Sequence, residues 1–304
     1  MPTHMDRRQF LVRSSMAVAA TALPFQSLFA KNIQDFTALR NNVGYFTERG
    51  GTIGWLVSPE GFVIVDSQYP QTAEICLKGL QQRTHRPLDV LINTHHHGDH
   101  TNGNSVFKPV TGKMVAHENV PRLMRRSAEE SDREGEQEPA YPEDTFATSW
   151  NISLGDETVH AKYYGRAHTS GDSIIYFENA NVVHMGDLVF NRMNPYTDRP
   201  AGASVQNWVN VLQTAEDEYP ADAIYIFGHG KPEFGVTGDK EDVAVMRSYL
   251  TAMIEHVQKG IESGRPKEEI IDLKSLPGFD NFTYASWWTL SQNLDVVYQE
   301  LTEA

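Results

Sequence analysis

Cysteine is almost absent from this chain: among 304 residues only Cys76 is one. An internal disulfide is thereby excluded, and so is a metal site built from several thiolates. Cys76 falls in a predicted helix, Thr72 to Arg83, where a small buried apolar residue is expected. Positive charge is scarce too, with 26 Lys and Arg against 40 Asp and Glu and a formal net charge of -14. Nucleic-acid phosphates bind basic surfaces, so this balance argues against a nucleic-acid partner. Long apolar runs are missing as well. The most apolar N-terminal stretch, Ser14 to Ala30, is too short and too broken, with Pro24 inside it, to span a bilayer. No internal repeat or low-complexity tract is present.

What stands before that stretch is Asp6-Arg7-Arg8-Gln9-Phe10-Leu11, paired arginines ahead of a modest apolar run. This resembles a twin-arginine export signal, so residues 1–30 are read as a leader and the twin-arginine translocase as a partner. The expected destination is the periplasm or the exterior. No Cys lies near Ala30 for lipid attachment, and no stable membrane anchor is expected. Removing residues 1–30 takes away three Arg and one Asp and moves the formal charge from -14 to -16. The remaining residues 31–304 suit one large domain with a C-terminal helical segment.

Strand and helix patterns alternate along that domain. Val43 to Thr47, Thr52 to Ser58 and Gly61 to Val65 read as a meander, with Pro59-Glu60-Gly61 as a turn. The helix over Thr72 to Arg83 leads to a strand ending near Ile92. Another element begins at Gly103 to Phe107, and Glu118 to Glu130 reads as helical. From Glu129 to Asp144 eight acidic residues stand against Arg133, with Pro139 and Pro142, the composition of a solvated loop. Strands follow at Asp144 to Trp150, Thr158 to Tyr164, Ser173 to Phe177 and Asn181 to Met185. Ser204 to Glu218 is a predicted helix, Ala223 to Phe227 a strand, and Gly238 to Ser263 mostly helical. The tail, Phe282 to Leu301, is amphipathic and carries Trp287, Trp288 and Tyr298, which reads as a core or homodimer face.

The densest chemistry lies in Asn93-Thr94-His95-His96-His97-Gly98-Asp99-His100, just after the apolar run Asp89 to Ile92. Alternate residues of an extended segment share a face, so His95 and His97 can grip one ion. Asp99 and His100 follow a Gly, where the chain can turn and offer a second pair to a neighbouring ion. Three more candidates each stand just past a predicted strand: His168 after Val159 to Tyr164, Asp187 after Val182 to Gly186, and His229 after Ala223 to Phe227. Ligands in α/β sheets gather at the carboxyl edges of strands. Five His and two Asp suffice for two metal ions. His96 should point away from its neighbours, behind the ligands, and His184 should pack beside Asp187. His4, His85, His117, His160 and His256 read as structural or surface residues.

At these residues the sequence resembles the metallo-β-lactamase superfamily. The resemblance implies an α/β fold, a four-layer αββα sandwich with a dinuclear site between its sheets. It implies that His95, His97 and His168 bind one metal, that Asp99, His100 and His229 bind the other, and that Asp187 bridges them. Asp66, ending Phe62-Val63-Ile64-Val65, matches the family Asp that supports the metal-binding loop from behind.

Imidazole and carboxylate ligands without thiolate suit two Zn2+, with Fe or Mn also compatible. A zinc-bound water has a pKa of about 7 and supplies a nucleophile near neutrality. Asp99 is the candidate catalytic residue that orients it or carries its proton. The leading expectation is an exported hydrolase of a small-molecule ester, thioester or lactone. A β-lactam-hydrolysing enzyme is the alternative, although Phe190 stands where β-lactamases with a Cys ligand carry a Lys that grips the drug carboxylate. From another class, the resemblance allows an iron-dependent sulfur oxidoreductase such as a persulfide dioxygenase. The basic cluster that holds glutathione in the glyoxalase II branch is not evident after Asp187, where Arg192 is the nearest cation; Lys231, close after His229, either meets an anionic substrate or faces solvent.

Overall fold

Continuous apolar strands such as Phe62-Val63-Ile64-Val65 need cover on both faces, and the computed structural model of the chain provides it. It describes residues 35–130, 139–284 and 287–303. Residues 1–34, which include the expected export signal, and residues 131–138 of the acidic loop lie outside the described residues.

A seven-stranded sheet has the order β1 (Phe36–Arg40), β2 (Val43–Phe46), β3 (Ile53–Val57), β4 (Phe62–Val65), β5 (Val90–Ile92), β6 (Met114–His117) and β7 (Asp144–Phe146). A six-stranded sheet is formed by β8 (Ser149–Leu154), β9 (Glu157–Tyr163), β10 (Ser173–Phe177), β11 (Val182–His184), β13 (Ile224–Ile226) and β15 (Thr237–Gly238). The short strands β12 (Phe190–Asn191) and β14 (His229–Gly230) pair in parallel. Between the large sheets Val63, Val65, Val90, Ile92 and Val115 meet Val159, Ala161, Ile175, Phe177 and Ile226 in a fully buried layer.

Helices cover the outer faces and complete the αββα sandwich. On the first sheet lie α1 (Pro70–Gln81), α2 (Gly98–Thr101), α3 (Asn104–Phe107) and α4 (Asn119–Glu130). Pro70 fits the first turn of α1 because that position needs no amide donor. The second sheet is covered by α5 (Val205–Glu218), α6 (Lys240–Glu262), α7 (Lys267–Ile271) and α8 (Leu290–Thr302), through Trp208, Leu212, Met246, Leu250 and Leu294. Thr289 and Gln292 cap α8 reciprocally: Thr289 N donates to Gln292 Oε1 at 2.8 Å and Gln292 N to Thr289 Oγ1 at 3.4 Å. Among the described residues no helix is long and apolar enough to cross a membrane.

Two expectations need correction. The strand predicted over Asp144 to Trp150 is two strands in different sheets, because the chain crosses between layers at Ala147-Thr148. A periodicity of two persists through such a crossing and does not reveal it. The tail is a core face only in part. Leu290, Leu294 and Val297 are buried in α8, whereas Trp287 and Trp288 precede the helix and wall a cleft.

Candidate metal centre

Strands β4 and β5 run parallel, and β9, β11 and β13 share one direction, since β10 is antiparallel to both β9 and β11 while β11 and β13 are parallel. Asp66, the His95 to His100 segment, His168, Asp187 and His229 therefore leave the sheets at one end, where strand-end ligands collect. His95 and His97 sit in the extended connection after β5. Asp99 and His100 ride on the single turn of α2.

The seven candidates come together as two facing groups. His95 Nε2 lies 3.1 Å from His97 Nδ1, and His168 Nε2 lies 2.9 Å from the same atom. His229 Nε2 lies 3.1 Å from Asp99 Oδ2 and 3.4 Å from His100 Nε2. Asp187 stands between the groups: Oδ1 is 3.0 Å from His100 Nε2, and Oδ2 is 3.5 Å from His168 and His229 and 3.7 Å from His95.

These donors fit a divalent cation. Tetrahedral Zn–N bonds of 2.0–2.1 Å place neighbouring donors roughly 3.3 Å apart, close to the separations just given. Asp187 Oδ1 is buried and makes no hydrogen bond although His100 is within reach, as a carboxylate shaped for an ion would be. The set contains nitrogen and oxygen donors and no sulfur, a hard-to-borderline chemistry.

Several of the candidate ligands are held from behind, as metal histidines require. Fully buried Asp66, at a positive φ of 64° that Asp tolerates, accepts from Thr94 N and Thr94 Oγ1 and faces His100 Nδ1, all at 2.8 Å. It supports the loop as the family resemblance implied. His168 Nδ1 donates to the Tyr196 carbonyl at 2.7 Å. His97 Nε2 lies 2.9 Å from Asp198 Oδ2, and buried His96 reaches the same oxygen at 3.5 Å. His184 accepts from Gly186 N on Nδ1 and donates from Nε2 to Thr52 O, which fixes the turn before Asp187. Two glycines leave the rings room: a Cβ on Gly51 would come within 2.1 Å of the His100 ring, and one on Gly228 within 2.0 Å of Asp187 Oδ1.

The local field divides the histidines. Burial, then the charge of neighbouring His100, holds His95 far below the usual imidazole range, and burial and His97 push His168 down to about 3. Both rings are thus neutral, the form that ligates. For His229 burial acts downward, but Asp187 and Asp99 outweigh it and raise the ring to about 9. His100 is likewise raised against its burial by Asp187, Asp99 and Asp66. Burial opposes ionisation of Asp187, yet His100, His229 and His95 hold its carboxyl well below the normal range. Positive charge is favoured at the centre of this cluster even though the whole chain is acidic.

A model of the metallo-beta-lactamase superfamily matches residues 46–229. The chain belongs to that superfamily. Among curated proteins it is similar to the alpha subunit of 2,4-dinitroanisole O-demethylase of Nocardioides sp. (strain JS1661), at 28% identity over 43% of this chain and 38% of that protein. It is also similar to a metallo-beta-lactamase type 2 of Bacillus sp. (strain 170), at 26% identity over 66% of this chain and 74% of that one. Among solved structures a stereoselective inverting sec-alkylsulfatase from Pseudomonas sp. superposes with a TM-score of 0.67 at 15% identity, over 88% of this chain and 50% of that one. At that identity the match speaks for the fold. The chain spans well under two thirds of the demethylase subunit and half of the alkylsulfatase. The superfamily assignment makes the His and Asp cluster the metal site of a metallo-hydrolase fold.

Several residues reach the site whose individual roles there the sequence did not show, Trp287 and Trp288 having been read as a core or homodimer face. Tyr196, Asp198, Trp287 and Trp288 lie in segments without a motif, and only folding brings them to the ligands. Fully buried Asn293 of α8 ties them together. Its oxygen accepts from Thr197 Oγ1 at 2.7 Å and Trp288 Nε1 at 2.6 Å, and its amide donates to Asn194 Oδ1 at 2.9 Å and the Pro195 carbonyl at 2.7 Å. Lys231, for which both an anionic substrate and solvent were open, points its amine toward the Asn281 carbonyl at 3.5 Å and Glu233 at 3.9 Å. Arg192 bonds Asp242 at 3.0 Å and Asn191 at 3.1 Å. Neither lines the cleft over the ligands.

Proposed function

We propose that the chain is an exported, dinuclear zinc-dependent hydrolase that cleaves an ester, thioester or lactone. The observation that carries this reading is the position of Asp187, whose two oxygens lie 3.0–3.7 Å from ring nitrogens of both histidine groups. A carboxylate so placed can serve two cations at once. Bound by these residues, two divalent ions would supply a water that loses its proton near neutrality and an electrophile for a carbonyl oxygen.

The chain's own side chains complete the chemistry. His95, His97 and His168 offer three nitrogens to one cation, and His100, His229 and Asp99 offer two nitrogens and an oxygen to the other. Asp99 faces the cleft, with one oxygen 3.1 Å from His229 Nε2, and is placed to orient the attacking water and take its proton. The lack of a Lys or Arg among the described lining residues favours this reading over a β-lactamase, which needs a grip on the drug's carboxylate. Export through the twin-arginine translocase is supported by Arg7 and Arg8 ahead of the apolar stretch to Ala30.

The test is to purify the protein, count its metals by mass spectrometry, and assay an ester, a thioester, a lactone, a β-lactam, a phosphodiester and an alkyl sulfate with a chelator control. Two zinc ions per chain and chelator-sensitive turnover of the carbonyl substrates are expected. In Asp187→Ala one metal and most of the turnover should be lost. A single iron with oxygen-dependent sulfur chemistry, or full metal content and rate in Asp187→Ala, would overturn the reading.

A further inference from the structure

The cleft above the metal ligands has a volume of about 430 Å³. Its floor is His97, Asp99, Asp187 and His229, and its walls are Tyr69, Phe190, Met193, Tyr196, Trp287 and Trp288. The walls are aromatic and thioether surface. Trp287 is 67% exposed, a large apolar side chain left to solvent at the rim of a site. It is braced by Tyr196 at 5.6 Å between ring centroids, and Trp288 meets the same ring edge-on at 4.6 Å. Burial within the fold does not explain the position of Trp287, whereas Trp288 packs partly against the core. Asn293 holds Trp288 Nε1, so the wall is fixed in place from α8.

Charge narrows the occupant. Among the described lining residues the charged groups are carboxylates and ligand histidines, and none is a Lys or Arg. Arg192 and Lys231 are turned to other partners, and Arg49 stacks on the Tyr69 ring at 4.7 Å without lining the cleft. A carboxylate or phosphate on the body of a substrate would find no counter-charge along these walls, whereas an apolar body would displace water from them. The wall residues Trp287 and Trp288 also lie beyond residue 229, where the superfamily match ends. The C-terminal segment therefore adds a wall of the cleft from outside the matched range.

Resting on the hydrolase reading, we infer that the substrate is an uncharged ester or lactone with an apolar acyl, alkyl or aryl body seated against Trp287, Trp288 and Tyr196, which act as specificity determinants.

The experiment measures kcat/KM of the metal-loaded protein on 4-nitrophenyl alkanoates from acetyl to decanoyl, and on esters of matched length ending in a carboxylate. Each added methylene should raise kcat/KM about two- to fourfold until the cleft is filled, and the terminal carboxylate should lower it at least tenfold. Trp287→Ala, an exposed position that leaves the core intact, should flatten the slope, and Trp288→Phe should do so without emptying the wall. In parallel, N-methylalkanamides of two to ten carbons are titrated against tryptophan fluorescence, a binding readout independent of turnover. A flat or falling series, preference for the carboxylated esters, or an unchanged slope in Trp287→Ala would overturn the inference. If a metal-loaded protein turns over no ester, thioester or lactone, the hydrolase reading fails on its own account. The alkanamide titration then decides: affinity rising with chain length upholds the apolar wall, and length-independent affinity removes it.

Discussion

Asp198 Oδ2 lies 2.9 Å from Nε2 of His97, on the edge of the ring opposite the Nδ1 that faces His95 and His168. The carboxylate thus selects the tautomer that leaves Nδ1 free to ligate. Asp198 is itself held by the Ala201 amide at 3.0 Å, and Tyr196, two residues earlier, does the equivalent service for His168 through its carbonyl. One short segment therefore orients two ligands of the same group.

Replacing Asp198 by Asn keeps the shape and removes the charge that polarises His97. Metal affinity at the His95, His97 and His168 group should fall about 10- to 100-fold, read by competition with a chromogenic chelator. Affinity within threefold of the parent protein would mean that Asp198 only packs there.

Gly228 is needed for close approach, since a Cβ would come within 2.0 Å of Asp187 Oδ1 and 2.8 Å of Gly186 backbone. Gly228→Ala must push the Asp187 turn away from both histidine groups. Loss of one bound metal and a drop in activity of about tenfold or more are expected, with a thermal midpoint lowered by several degrees. Retention of full metal stoichiometry by mass spectrometry would show that the turn yields without displacing its carboxylate.

Asp172, which is not one of the seven candidate ligands, gives a further pH dependence. Burial raises its carboxyl to about 6, against the hydrogen bonds from Thr169 N and Thr169 Oγ1 at 2.7 and 2.8 Å. A folded-state pKa above the unfolded value of 3.8 means that the folded chain holds the proton more tightly. The stability contributed is then fully present below about pH 4 and is lost as pH rises through about 6, amounting to about 3 kcal/mol. Other carboxylates slope the opposite way, so the comparison is with Asp172→Asn. The stability difference between parent and variant, from urea unfolding at pH 4.5 and 7.5, should shift by about 2 kcal/mol, and a pH-independent difference would refute the shift.

Replacing Arg7 and Arg8 by Lys keeps the charge but removes the paired guanidinium signature. The precursor should accumulate inside the cell, detected by fractionation and immunoblotting. Undiminished export would exclude the twin-arginine route.

The sequence by itself pointed to the seven candidate residues that the fold brings together, because His95 to His100 lie within six positions and His168, Asp187 and His229 each follow an apolar strand with a Gly within three positions. Local pattern also determined most of the strand and helix order, since periodicity and strand ends are short-range properties, while the support role of Asp66 came from the family resemblance. Only the tertiary structure decided that Asp144 to Trp150 belongs to two sheets, that Asp198 and Tyr196 orient His97 and His168, and that Trp287 and Trp288 wall the cleft. Those relationships join residues about 30 to nearly 200 positions apart with no local pattern to announce them. Asn293 reaches Asn194 across 99 positions because α8 folds back over the second sheet, and packing of that kind is specified by the whole core rather than by any stretch of chain.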